Sequence, residues 1–265
     1  ISEPGNTRMP HFPNKPGKQI ALAIIMLLAW GSLSAAELRV AVASNFSDAI
    51  KRIAGDFEAA TGHRVKLIFG STGKHYAQIR NGAPFDLFFA ADSRRPRLLE
   101  EEGAADPGSR FTYALGKIVL WSPKAGYVDS DGRVLENDSF RHLAIANPKL
   151  APYGMAAREV LKRRGLWQRL QRGRMVRGEN IAQTYQFVKS GNANLGFVAY
   201  AQVKRPGHPI EGSYWEVPQA LYAPIEQQAV MVRKSDAAQQ FIEFIQQDSA
   251  LGIIRSFGYD TPDAE

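Results

Sequence analysis

Residues 38–73 read LRVAVASNFSDAIKRIAGDFEAATGHRVKLIFGSTG. Leu38, Val40 and Val42 alternate with their neighbours as in a strand, and the run ends in the small polar residues Ser44 and Asn45. Ile50, Ile53, Ala54 and Phe57 then recur at helical spacing until Gly62, a residue suited to the left-handed turn that closes a helix. Val65, Leu67 and Phe69 alternate again, and Gly70, Ser71, Thr72 and Gly73 separate this second strand from another short helix. Residues 85–90 (FDLFFA) are apolar apart from Asp86, suited to a parallel strand buried on both faces. The order strand, helix, strand, helix, strand predicts an α/β sheet.

A second unit of the same kind follows. Residues 117–121 and 143–146 read as strands, and the latter leads through NPKLAPYG, residues 147–154, into a helix ending near Arg164. Met175 and Val176 precede Gly178, Glu179 and Asn180, where Asn180 is placed to cap a helix that begins at Ile181. Residues 195–198 and 228–232 are further strands, and two helices close the chain, the first with Phe241, Phe244 and Ile245 on one face. With no long polar linker, the pattern predicts two α/β lobes packed around a cleft. Residues 37–116 plus 226–265 make the first lobe and residues 117–225 the second.

Residues 1–36 do not read as part of this fold. Lys15 and Lys18 follow Met9, residues 20–30 (IALAIIMLLAW) carry no charge, and GSLSAA supplies small residues before Glu37, the order of a secretory signal. Eleven apolar residues span roughly 16 Å of helix against a bilayer core of ~30 Å, too short for a stable span. The expectation is export to the periplasm with cleavage after Ala35 or Ala36. The full chain has 265 residues, no cysteine and a net charge of +7. Lack of cysteine excludes disulfides, thiolate metal sites and a cysteine nucleophile. Loss of Arg8, Lys15, Lys18 and Glu3 with the signal lowers the charge by two, and the basic residues are not interleaved with stacking aromatics, so no nucleic-acid partner is expected.

The usual catalytic patterns are missing. GSTGKH at 70–75 differs from a phosphate-binding P-loop, which needs glycine where Ile68 stands and a hydroxyl where His75 stands. There is no G-x-S-x-G elbow or H-E-x-x-H pair, and the five histidines are scattered and expected at the surface or at helix ends. What recurs is a polar strand-to-helix junction: Ser44 and Asn45; Gly70 to Gly73; Pro152, Tyr153 and Gly154; Glu179, Asn180 and Ile181. A helix start presents unpaired N–H groups and partial positive charge, and in open α/β sheets these junctions lie where ligands bind. Each could be a simple cap, but four of them, two per lobe, predict an anion socket.

Over essentially its whole mature length the sequence resembles the periplasmic molybdate-binding proteins that serve ABC importers. The resemblance rests on VAVASNFSDAI, on IFGSTGKHYAQIRNGAPFDLFFAAD, on GSRFTYALGKIVLWSP, on IANPKLAPYGMAA and on LGFVAYAQ. It implies the type II two-lobed solute-binding fold, and a tetrahedral dianion held by hydroxyls and backbone amides with no metal cation or cofactor. Carried over, Ser44 and Thr72 give hydroxyl and amide donors with the Asn45 amide beside Ser44, and Tyr153 and Ile181 give backbone N–H donors. Ser71 is a second contact beside Thr72. A subgroup adds a tyrosine hydroxyl after the LGFV strand, where this chain has Ala199 and then Tyr200, so the chain reads with the subgroup that uses the Asn. The implied ligand is molybdate or tungstate, the partner a membrane permease, and the state a monomer.

Molybdate and tungstate are fully deprotonated at neutral pH, so an all-donor socket pairs every oxygen, whereas protonated phosphate leaves an O–H facing donors at a cost of roughly 1–3 kcal/mol. Sulfate is also acceptor-only, which keeps a sulfate receptor as the alternative and an enzyme acting on an anionic substrate as a distant one. Residues 162–177 hold seven basic residues and no acid, a solvated face or a surface for steering the anion or touching the permease.

Overall fold

The computed structural model describes residue 1, residues 35–137 and residues 139–262. The signal segment expected over residues 1–36 lies almost wholly outside them. In chain order the first sheet begins with β1 (Glu37–Ala43), α1 (Ser47–Thr61), β2 (Arg64–Gly70), α2 (Thr72–Arg80), β3 (Leu87–Phe89), α3 (Arg94–Glu101) and β4 (Phe111–Gly116). The second comprises β5 (Ile118–Ser122), β6 (Leu143–Ala146), α4 (Pro152–Arg163), α5 (Trp167–Leu170), β7 (Met175–Gly178), α6 (Ile181–Lys189), β8 (Leu195–Ala199), α7 (Tyr200–Val203) and β9 (Ser213–Glu216). The chain then returns to the first sheet with β10 (Ile225–Met231) and ends in α8 (Asp236–Ile245) and α9 (Asp248–Ser256).

The strand orders are β2-β1-β3-β10-β4 and β7-β6-β8-β5-β9. In the first, β1 runs parallel to β2 and β3, while β10 is antiparallel to β3 and β4. The second repeats the scheme, with β6 parallel to β7 and β8 and with β5 antiparallel to β8 and β9. Two α/β lobes result, as the alternating pattern predicts. Helix α1 buries Ile50, Ile53, Ala54 and Phe57 on one face and stops at Gly62, whose φ of 75° lets its N–H reach the Glu58 carbonyl at 2.9 Å. Phe57 meets Phe241 of α8 edge to face at 4.9 Å in the first core, while Leu120, Leu143, Val160 and Phe197 fill the second. Burying each such side chain contributes about 1.5–3 kcal/mol.

Three elements depart from the expected pattern. Strands β4 and β9, not foreseen, are the last strands of their sheets, where one edge needs no apolar neighbour and alternation is weak. Strand β10 starts at Ile225 rather than 228; its first positions carry Glu226, Gln227 and Gln228, polar residues that do not read as a buried strand and whose partners are other side chains. The basic segment 162–177 is not merely a solvated face. Arg164 donates to the Asp131 carbonyl at 2.7 Å and lies over Trp215, Arg169 donates to the carbonyls of Leu135 and Glu136, and Arg174 to that of Phe140. These guanidinium groups fasten the long excursion between β5 and β6.

The histidines also divide differently. His63 and His75 are buried rather than at the surface, and both sit at helix ends, His63 just past the Gly62 cap of α1 and His75 in the first turn of α2. His63 Nδ1 accepts the Ala36 N–H at 3.1 Å. His75 packs edge-on against Phe85 and Phe88, with Nδ1 against Gln78 and Nε2 without a partner. Burial lowers its imidazole below the ordinary histidine range, so it stays neutral.

The chain passes from sheet to sheet through Lys117 alone, between β4 and β5, and returns through residues 217–224. Gly116 is needed there for closeness: a Cβ would touch the Tyr153 hydroxyl and lie 2.6 Å from Gln227 Nε2. Gly116→Ala is expected to destabilise the fold by about 1–3 kcal/mol, read by urea unfolding. Because folded His75 binds its proton less well than the unfolded chain does, stability is complete at neutral pH and falls as pH drops from about 7 to about 5. Urea titrations at the two pH values should show a smaller drop in His75→Leu than in the parent chain.

Candidate functional site

Four parallel strands end beside one another at the seam between the sheets. β1 runs into a single 3₁₀ turn at Ser44–Phe46, and β2 runs into α2 with Ser71 as N-cap. Across the seam β6 leads through residues 147–151 to α4, whose first residue is Pro152, and β7 leads to α6 with Asn180 as N-cap. The first N–H groups of a helical turn have no carbonyl four residues back to bond. In α2 and α6 these belong to Thr72 and Ile181. In α4 Pro152 has no N–H, so the first is that of Tyr153.

These junctions close on one small cleft with about 10 Å³ of free space, lined by Ser44, Asn45, Ser71 and Thr72 from one lobe and by Tyr153, Asn180 and Ile181 from the other, with Ala91 at its side. All six residues foreseen as contacts are at most 4% exposed and share this cleft. The lining contains no acid, lysine, arginine or histidine. Among the described residues no group of three His, Cys, Asp or Glu could hold a metal ion.

Hydrogen bonds outside the cleft orient what faces it. Thr72 Oγ1 accepts the Ala91 N–H at 3.1 Å, and Ser44 Oγ accepts the Ala182 N–H from the opposite lobe at 3.3 Å. A hydroxyl whose oxygen already accepts keeps its proton to donate. Ser71 behaves differently: its oxygen accepts the Lys74 N–H at 3.3 Å while its proton goes to Glu179 Oε1 at 2.6 Å. Its side-chain donor is therefore in use away from the cleft. The Asn45 side-chain amide is also engaged, donating to Gln227 Oε1 at 2.6 Å and to the Tyr259 hydroxyl at 3.1 Å. The amide that Asn45 can offer the cleft is its backbone N–H. Tyr200 lies beside Tyr214, ring centres 6.3 Å apart, and is not among the lining residues.

Beneath the cleft lies a buried polar network that the motifs did not reveal. Gln227 of β10 accepts from Asn45 and Tyr113 and donates to the Tyr153 hydroxyl at 3.3 Å, while the Tyr259 hydroxyl donates to the Asn45 carbonyl at 2.8 Å. Burial pushes the phenols of Tyr113, Tyr153 and Tyr259 above the ordinary tyrosine range, so all three remain neutral donors. The only sequence signal is the polar run Glu226, Gln227 and Gln228 at the start of a buried strand. Glu179 belongs to the junction that adjoins the cap Asn180, and nothing in that motif signals its bond to Ser71.

The family model of bacterial extracellular solute-binding proteins matches residues 38–260. The molybdate-binding protein ModA of Azotobacter vinelandii is 51% identical over 228 residues, covering 85% of this chain and 90% of that protein. ModA of Rhodobacter capsulatus is 47% identical over 245 residues, covering 91% of this chain and 94% of that protein. The solved Azotobacter vinelandii periplasmic molybdate-binding protein superposes with a TM-score of 0.83 at 44% identity, covering 85% of this chain and 99% of that one. With a match that spans both lobes and all four junctions, the chain belongs to the bacterial extracellular solute-binding proteins.

Proposed function

We propose that the cleft captures molybdate, or tungstate, between the two lobes and that the closed protein delivers it to the membrane permease of an ABC importer. The observation that carries this reading is the chemistry of the lining: backbone amides of Ser44, Asn45, Thr72, Tyr153 and Ile181 and the hydroxyls of Ser44 and Thr72, all neutral donors, drawn from both lobes. A fully deprotonated tetrahedral dianion has only acceptors to offer, and fixed amide dipoles in a closed, dry cleft bind it without an ion pair. The names of the two curated relatives agree with it.

In this reading the lobes divide between residues 116 and 117 and between 225 and 226, and the two crossings act as hinges. Closure brings Gly73 N–H to the Leu150 carbonyl at 2.8 Å and the Arg95 guanidinium to the Lys149 carbonyl at 3.1 Å. Donors from both lobes favour the closed form only when an anion joins them. Residues 1–36 direct export to the periplasm, and one chain supplies both halves of the cleft, so the protein works as a monomer. It binds and carries rather than catalyses.

Calorimetry with molybdate, tungstate, sulfate and phosphate tests the ligand. Molybdate and tungstate should bind alike and far more tightly than the other two, and sulfate binding as tight as molybdate would refute the assignment. Thr72→Val should weaken molybdate about 10- to 100-fold, the loss of one or two charge-assisted hydrogen bonds, while Thr72→Ser stays close to the parent chain. Unchanged affinity in Thr72→Val would remove Thr72 from the socket.

A further inference from the structure

We propose that Glu179 and Ser71 form a latch across the cleft that sets how long the closed protein holds its ligand; the inference rests on the anion-binding reading above. The Ser71 hydroxyl, on the first lobe, donates to Glu179 Oε1 on the second at 2.6 Å. Both partners are held in place. Ser71 is the N-cap of α2 and its oxygen takes the Lys74 N–H, which leaves the hydroxyl proton free to turn toward the carboxylate. Glu179 Oε2 accepts from Asn180 Nδ2 at 2.7 Å and the Glu179 N–H donates to Gln183 Oε1 at 2.6 Å, so the carboxylate is fixed to the first turn of α6.

That turn carries the Ile181 N–H that faces the cleft, and α2 carries the Thr72 N–H and hydroxyl. The latch therefore joins the two helix starts that would grip the anion from opposite sides. A carboxylate is an unfavourable neighbour for a dianion on charge alone. Its placement here makes sense through the donor it takes up: Ser71 gives its proton to the opposite lobe. Ser71 is 2% exposed and Glu179 is half-buried, and a charge-assisted bond partly shielded from water is stronger than its open, solvated counterpart. Opening the cleft breaks this bond before the anion can leave, so the bond's strength enters the release rate.

The test is a double-mutant cycle on release of the anion, followed by stopped-flow mixing of the loaded protein with excess competing tungstate. Ser71→Ala and Glu179→Ala should each raise the molybdate release rate about 10-fold with little change in association. The double variant should release no faster than either single one. Glu179→Gln keeps an acceptor oxygen without the charge and should fall between. If Ser71→Ala leaves release unchanged, or if the double variant multiplies the two single effects, Glu179 acts only through the Asn180 cap and the latch is overturned. Thermal unfolding of each variant confirms that it folds. Should calorimetry find another of the four anions in the cleft, the same cycle is run on that anion, which separates failure of the latch from failure of the ligand assignment.

Discussion

A backbone N–H taken out of water needs a partner, and at the start of a helix the helix itself supplies none. The seam between the two sheets gathers several such groups, those of Ser44, Thr72, Tyr153 and Ile181, at one place. Much of the structure can be understood as the means of bringing them there. Parallel strands β1, β2, β6 and β7 all end on the same side of their sheets and feed turns that point inward. Pro152, which has no N–H of its own, moves the first unpaired amide of α4 one residue on, to Tyr153. Selectivity in such a site comes from having donors and no acceptors within reach, so neutral chemistry suffices where a surface of lysines would bind any anion.

The donors need a rigid floor. Gln227 ties Asn45 and Tyr113 of one lobe to Tyr153 of the other, and Tyr259 holds the Asn45 backbone from below. Each phenol is neutral and each amide is paired, so the network is a satisfied polar core rather than a reservoir of reactive groups. Phe46 packs against Phe89, Tyr113 and Tyr259 just behind the 3₁₀ turn, which fixes the path of Ser44 and Asn45 by apolar contact as well. The arginines at 164, 169 and 174 do comparable work at the far side of the second lobe by bonding carbonyls of an excursion that has little sheet or helix of its own.

How far the residues disclosed this follows from where their partners lie. The period-2 and period-3.6 patterns of β1, α1 and β2 were plain because one element's buried face is written along its own length. The Asn180 cap was equally plain, since a cap and its helix are neighbours in sequence. Edge strands β4 and β9 were hidden because a half-exposed strand need not alternate strictly. Gln227 and Glu179 were hidden for another reason: each acts on a partner more than a hundred residues away, and a polar residue in a strand or loop does not announce such a partner. The junction residues could be picked out as a set, but which of their protons face the cleft depended on Ala91, Ala182 and Glu179, positions with no motif of their own.

The single-residue passage at Lys117 has a consequence for affinity. Gly116 pairs with Ile225 in one sheet while Ile118 pairs with Ala199 in the other, so the connection is stiff on both sides and short. Once an anion touches the amides of one lobe, those of the other arrive as an intramolecular partner at high effective concentration rather than as a separate binding event. A short tether also confines the search to a small arc of rotation, so little orientational freedom is lost when the second set of contacts forms. Lengthening that passage by a few flexible residues would leave every donor in place and yet dilute one half of the cleft with respect to the other.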